Sequence, residues 1–160
     1  MRRALWIAAM FAVLVPGWGQ ADDGDVIVGT WLTAPDEEDG QARIEVYKDG
    51  DSYDGKIVWL EKPVYPPDDD GGMPGQEKVD RENPDPAFHS RPIAGLQIMT
   101  DFAYVGKGKW KKGTIYAPDE GKTYKCKASL SEDGVLKVRG FIGFSLLGRT
   151  EEWTRVETEE

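Results

Sequence analysis

The densest set of polar groups in the chain lies in the segment KVDRENPDPAFHSRP, which brings Asp80, Asn83, Asp85 and Arg91 close together. Carboxylates, an amide and a guanidinium at this spacing can receive a polar headgroup, ligate a hard cation or hold a loop shut. The prolines that follow Asn83 and Asp85 keep both residues extended, and Phe88 offers an apolar anchor. The stretch from Lys78 to Pro92 therefore reads as a lid. Asp80, Asn83 and Asp85 are its polar elements, and Arg91 is a partner for a carboxylate or phosphate. The competing reading is a turn-rich segment whose Asx side chains cap their own backbone.

Other chemistries meet obstacles. A calcium site would draw on Asp68, Asp69, Asp70, Asp80 and Asp85, but the first three are contiguous rather than alternating before a glycine. One histidine and one cysteine are too few for a zinc site. GFSLLG misses the Gly-x-Ser-x-Gly elbow by one residue, and Ser145 has no histidine near it in sequence. The glycines of GKGKWKKG match no phosphate loop, although Lys107, Lys109, Lys111 and Lys112 around Trp110 could dock an anionic headgroup, glycan or peptide. The plain alternative is a solvated hairpin tip. Cys126 alternates with lysines in YKCKASL and is expected to point inward as a small apolar group. No cofactor and no metal are expected, and enzyme activity is left open.

The elements that must position these groups are strands. No stretch after residue 21 carries helical periodicity, whereas period-two alternation recurs throughout. ARIEVYKDGDSYDGKIVWL reads as a hairpin with Ala42, Ile44 and Val46 on one face. VIVGTWL precedes it, and GLQIMTDFAYV, WKKGTIYAP, KTYKCKASL, GVLKVRGFIG and GRTEEWTRV come after, joined by short Gly- and Asp-rich turns. Eight strands in meander order predict an all-β, antiparallel up-and-down barrel with one long loop between strands three and four. A two-sheet sandwich is the alternative. The first part of that loop, from Glu61 to Glu77, is rich in Pro, Gly and Asp and reads as mobile. Tyr124 shares a face with Cys126 and Ala128 and so points inward. With Tyr116, Trp59, Phe88 and Arg91 it completes the expected ligand-binding set.

The chain begins MRRALWIAAMFAVLVPGWGQA, with two arginines, a short apolar run and small residues at Gly19 and Ala21. That is the pattern of a cleavable secretory signal peptide, residues 1–21, and the apolar run ends too early at Pro16-Gly17 to span a bilayer. A single domain over residues 22–160 and a periplasmic or secreted location are the corresponding expectations. Without Arg2 and Arg3, 18 basic side chains face 29 acidic ones, a formal charge of −11. Such a surface repels nucleic acid and anionic lipid as a whole. With one cysteine, no internal disulfide can form, so stability rests on the core.

Gly29-Thr30-Trp31 in strand one and Arg155 in strand eight resemble the lipocalin and fatty-acid-binding barrels, in which an indole seals the closed end under a basic side chain. On this resemblance Trp31 and Arg155 are structural. A more extensive resemblance rests on Asp80/Asn83/Pro84/Asp85, Arg91/Pro92, Gly113/Tyr116/Pro118/Gly121/Tyr124 and Arg139/Gly140/Gly143. In that order they are similar to the exported bacterial family named domain of unknown function 2147. The resemblance implies an exported single-domain barrel and no activity. Ala94 departs from it, standing where many members carry a cysteine. The expected function is binding of a small apolar or amphipathic ligand under the lid. The alternatives are an interaction module with a filled barrel that contacts an envelope protein or glycan, or a hydrolase using two long-loop carboxylates.

Overall fold

The computed structural model of the chain describes residues 23–157, and the predicted leader lies outside the described residues. Alternating apolar side chains produce eight strands: β1 (Gly29–Leu32), β2 (Ala42–Asp49), β3 (Ser52–Leu60), β4 (Gln97–Tyr104), β5 (Lys109–Ala117), β6 (Lys122–Leu130), β7 (Leu136–Phe141) and β8 (Gly148–Arg155). Each pairs antiparallel with the next, and β8 returns to β1 with Trp31 opposite Arg155, closing the barrel. The predicted up-and-down barrel is the architecture observed, and the sandwich is not. Closure leaves no sheet edge to pair with another chain.

Two local departures matter. Val26 and Ile27, expected to begin the first strand, lie instead in a 3-10 turn over Asp23–Ile27 that drops Ile27 into the core. Gly24 permits this packing, since a Cβ there would lie 2.6 Å from the Tyr53 hydroxyl. In β3, Arg43 pairs with Trp59 but Ile44 pairs with Ile57, so Val58 is the extra residue of a bulge. Ile57 and Leu60 face inward while Val58 and Trp59 turn to solvent.

One end of the barrel is solid. Trp31, Tyr53, Phe102, Trp110 and Leu136 are buried there beneath the 3-10 turn. The Trp31 indole N–H donates to the Ile27 carbonyl at 2.8 Å. The Arg155 guanidinium lies 4.3 Å from the Trp31 ring centroid and donates to the carbonyls of Val26 and Val28. Trp110 packs against Tyr104 and Tyr53, so the aromatic group of the GKGKWKKG hairpin is inside the core and cannot dock a ligand. Its lysines remain at the surface of this closed end.

The connection between β3 and β4 is folded along its whole length, including the part expected to be mobile. Val64 bridges Glu77, and Val79 bridges Pro92. Arg81 donates two 2.9 Å bonds to the Asp69 carboxylate and stacks 4.0 Å over Tyr65, which is buried. A bidentate guanidinium–carboxylate pair fixes both distance and orientation, which explains why a Pro- and Gly-rich segment takes a single path.

Candidate functional site: a cavity at the open end

Toward the other end the side chains stop short of filling the interior. A cavity of about 830 Å³ opens there, walled by Ile44, Ile57, Ile98, Ile115, Val138 and Trp153, with the small residues Ala42 and Gly140 also on its lining. A Cβ on Gly140 would make ordinary contacts, 3.6 Å from Ile115 and Tyr124, so a side chain can start there without displacing a neighbour.

The mouth is acidic. Asp36, Glu38 and Asp39 come from the β1–β2 loop, Asp119 and Glu120 from the β5–β6 turn, and Glu151 from β8. Asp119 is exposed at this opening but crowded by the groups around it. Desolvation, reinforced by the charges of Asp39 and Glu120, raises its pKa above the ordinary carboxylate value. The cations at the mouth have acidic partners. Lys78, itself buried, lies 2.8 Å from Asp39, Arg81 holds Asp69, and Arg149 lies 3.7 Å from Glu151.

Above the mouth, a network centred on Asp80 fastens the long connection to the barrel. The fully buried Asp80 carboxylate accepts from the Tyr116 hydroxyl at 2.6 Å, from Arg91 at 2.6 Å and from the Asn83 amide at 2.8 Å. Burial alone would raise its pKa, but the hydrogen bonds from Tyr116, Arg91 and Asn83 outweigh it and hold the carboxyl below its ordinary value. The same burial and the same carboxylate push the Tyr116 phenol up to about 12.

The expected ligand-binding residues thus separate. Tyr116 and Tyr124 line the cavity, although both hydroxyls are engaged, Tyr116 with Asp80 and Tyr124 with Glu120. Trp59 does not line it, because the Val58 bulge turns the indole outward under Arg43, 4.9 Å away. Phe88 is exposed outside the cavity wall, with Arg91 stacked 4.7 Å over its ring. Arg91 gives one N–H to Asp80 and does not line the cavity. Asp85 caps the short 3-10 turn Pro86–Phe88 by accepting from Ala87, while the Asn83 side chain serves both its own turn and Asp80. The part of the long β3–β4 connection that faces the cavity includes Tyr65 and, from the lid, Lys78, Val79, Arg81 and Glu82. It seats closely on the β5–β6 turn, since a Cβ on Gly121 would fall 1.8 Å from the Glu82 carbonyl oxygen.

Sequence reasoning missed Lys78, Asp39 and Asp119. Each sits among other charges in the sequence, and nothing in the spacing says that three separate loops meet at one mouth. Cys126 does point inward, where desolvation pushes its thiol up to about 12.

A closed eight-stranded meander, plugged at one end and hollow at the other, defines the lipocalin-like class of β-barrels. Within that class, residues 29–155 match the family described as "Uncharacterized protein conserved in bacteria (DUF2147)", and the chain belongs to it. Among solved structures it is similar to protein HP1028 from the human pathogen Helicobacter pylori, described as belonging to the lipocalin family. The two share 21% identity with a TM-score of 0.68, covering 81% of this chain and 82% of that one. Comparison with curated proteins gave no match.

Proposed function

We infer that the barrel binds a small apolar or amphipathic molecule, with its tail among Ile44, Ile57, Ile98 and Ile115 and its head at the mouth beneath the lid. The observation that carries this reading is the cavity of about 830 Å³, which lies within the usual range of small-molecule sites, roughly 300–1,000 Å³, and has an aliphatic wall. Likeness to a lipocalin-family protein supports it through the fold alone. The mouth is acidic and Lys78, Arg81, Arg91 and Arg149 already face carboxylates, so an uncharged or cationic head suits it better than an anionic one.

A leader of the secretory type supports export, which would place the barrel in the periplasm or outside the cell. An envelope interaction module with a filled barrel finds less support in a cavity of this volume. The hydrolase reading asks for two long-loop carboxylates, one with a raised pKa, at the cavity. Asp69 and Asp80 are each held by an arginine and each lowered.

The test is a titration with the uncharged fluorophore N-phenyl-1-naphthylamine. Saturable one-to-one enhancement is expected, weakened at least about tenfold by Gly140→Leu, whose side chain would occupy the cavity, with the melting temperature little changed. Absence of saturable binding, or equal binding by the variant, would overturn the reading.

A further inference from the structure

The turn between β7 and β8 exposes Ile142, Phe144, Leu146 and Leu147 at 68%, 81%, 88% and 74%. Other exposed large apolar side chains among the described residues lie between 38% and 48% and are scattered around the barrel, which is ordinary for a soluble surface. Four neighbours at these values form a single projecting apolar tip.

The tip is held outward by its own hairpin. Arg139 on β7 donates to the Ser145 carbonyl at 2.8 Å, to the Leu146 carbonyl at 3.3 Å and to the Thr150 hydroxyl at 2.7 Å. The Phe144 carbonyl accepts from the Leu147 amide at 3.0 Å. Three successive carbonyls at the apex are therefore satisfied without water, which lowers the cost of bringing this irregular backbone into a headgroup layer. Ile142 and Leu147 also line the cavity, so apolar surface leads from the tip into the barrel.

Charge narrows the choice of partner. The opening beside the tip carries Asp36, Asp39, Asp119, Glu120 and Glu151. Two copies set mouth to mouth would juxtapose these carboxylates, and an anionic bilayer would meet the same repulsion. A zwitterionic lipid surface lets the tip enter while the carboxylates stay in water.

We propose that residues 142–147 insert into the headgroup region of a zwitterionic bilayer and rest the cavity mouth against it. The association is weak and reversible, since even one fatty-acyl chain gives only marginal membrane binding. This inference concerns the outside of the mouth and does not rest on the cavity being occupied.

Residues 22–160, which hold the whole closed barrel and its core and omit the apolar leader, are sedimented with sucrose-loaded phosphatidylcholine vesicles at physiological salt. The expected result is co-sedimentation that Phe144→Ser combined with Leu146→Ser weakens about tenfold or more, with melting temperature and N-phenyl-1-naphthylamine uptake unchanged. Failure of the unmodified barrel to bind these vesicles would overturn the proposal. So would binding confined to phosphatidylglycerol vesicles, or a dimer in solution that the double variant converts to monomer. If vesicle binding persists while the fluorophore is never taken up, the cavity reading falls and membrane docking stands.

Discussion

The Tyr116 hydroxyl on β5 lies 2.6 Å from the Asp80 carboxylate in the long β3–β4 connection, tying the barrel wall to the lid above its mouth. Asp80 also receives Arg91 and Asn83 and has no contact with solvent. Its removal leaves Tyr116 and Arg91 without their shared acceptor. Asp80→Ala is expected to cost about 1–3 kcal/mol and to loosen the lid more than the strands. Hydrogen exchange checks this: the amides of Lys78, Asp80 and Asn83 should lose protection while those of β2 and β6 keep it.

The same pair sets a pH window. Asp80 has a folded pKa below its ordinary 3.8, so its stabilisation is complete above that value and is lost as pH falls through the lower folded value. Tyr116 has a folded pKa raised from 10.0 to about 12, so its contribution is complete below pH 10 and fades as pH rises toward 12. Melting curves of the natural protein and Tyr116→Phe should differ by a constant amount near neutrality and converge above pH 10. A difference that stays constant at alkaline pH would speak against the latch.

At the closed end, Arg155 supplies both a guanidinium over Trp31 and donors to the Val26 and Val28 carbonyls. Arg155→Ala should destabilise by about 1–3 kcal/mol, and Arg155→Lys should recover only part, because an ammonium lacks the planar fork. Trp31→Ala, which empties a fully buried indole site, should cost about 3–5 kcal/mol. Urea unfolding monitored by fluorescence ranks the three variants.

Cys126 is buried in β6, and desolvation pushes its thiol up to about 12. A thiol this far above neutrality and sealed from solvent carries almost no thiolate. Native protein at pH 8 should fail to react with Ellman's reagent, and protein in urea should react with one equivalent. Rapid labelling of the folded chain would contradict the placement.

Alternation and turn chemistry were enough to read the barrel, because an inward face and short hairpins leave a meander few other ways to bury Ile44, Val46, Leu136 and Val138. Trp31 and Arg155 were legible for a related reason, since β1 and β8 must meet if the sheet closes. The site was harder. A bulge adds one residue and reverses the facing of the next residues along the strand, so Trp59 left the interior without any mark in its own sequence. Arg91 looked free because a sequence shows a charge but not its partner, and its partner Asp80 lies 11 residues earlier. The acidic mouth is assembled from loops that only the closed barrel brings together.

Native mass spectrometry of the protein purified gently from its own host, before and after exposure to that host's lipid extract, reads the occupancy of the cavity directly. A stoichiometric small-molecule adduct, lost in Gly140→Leu and kept in Arg155→Lys, is the expected result. A clean unliganded mass that takes up nothing from the extract would contradict a ligand-binding barrel.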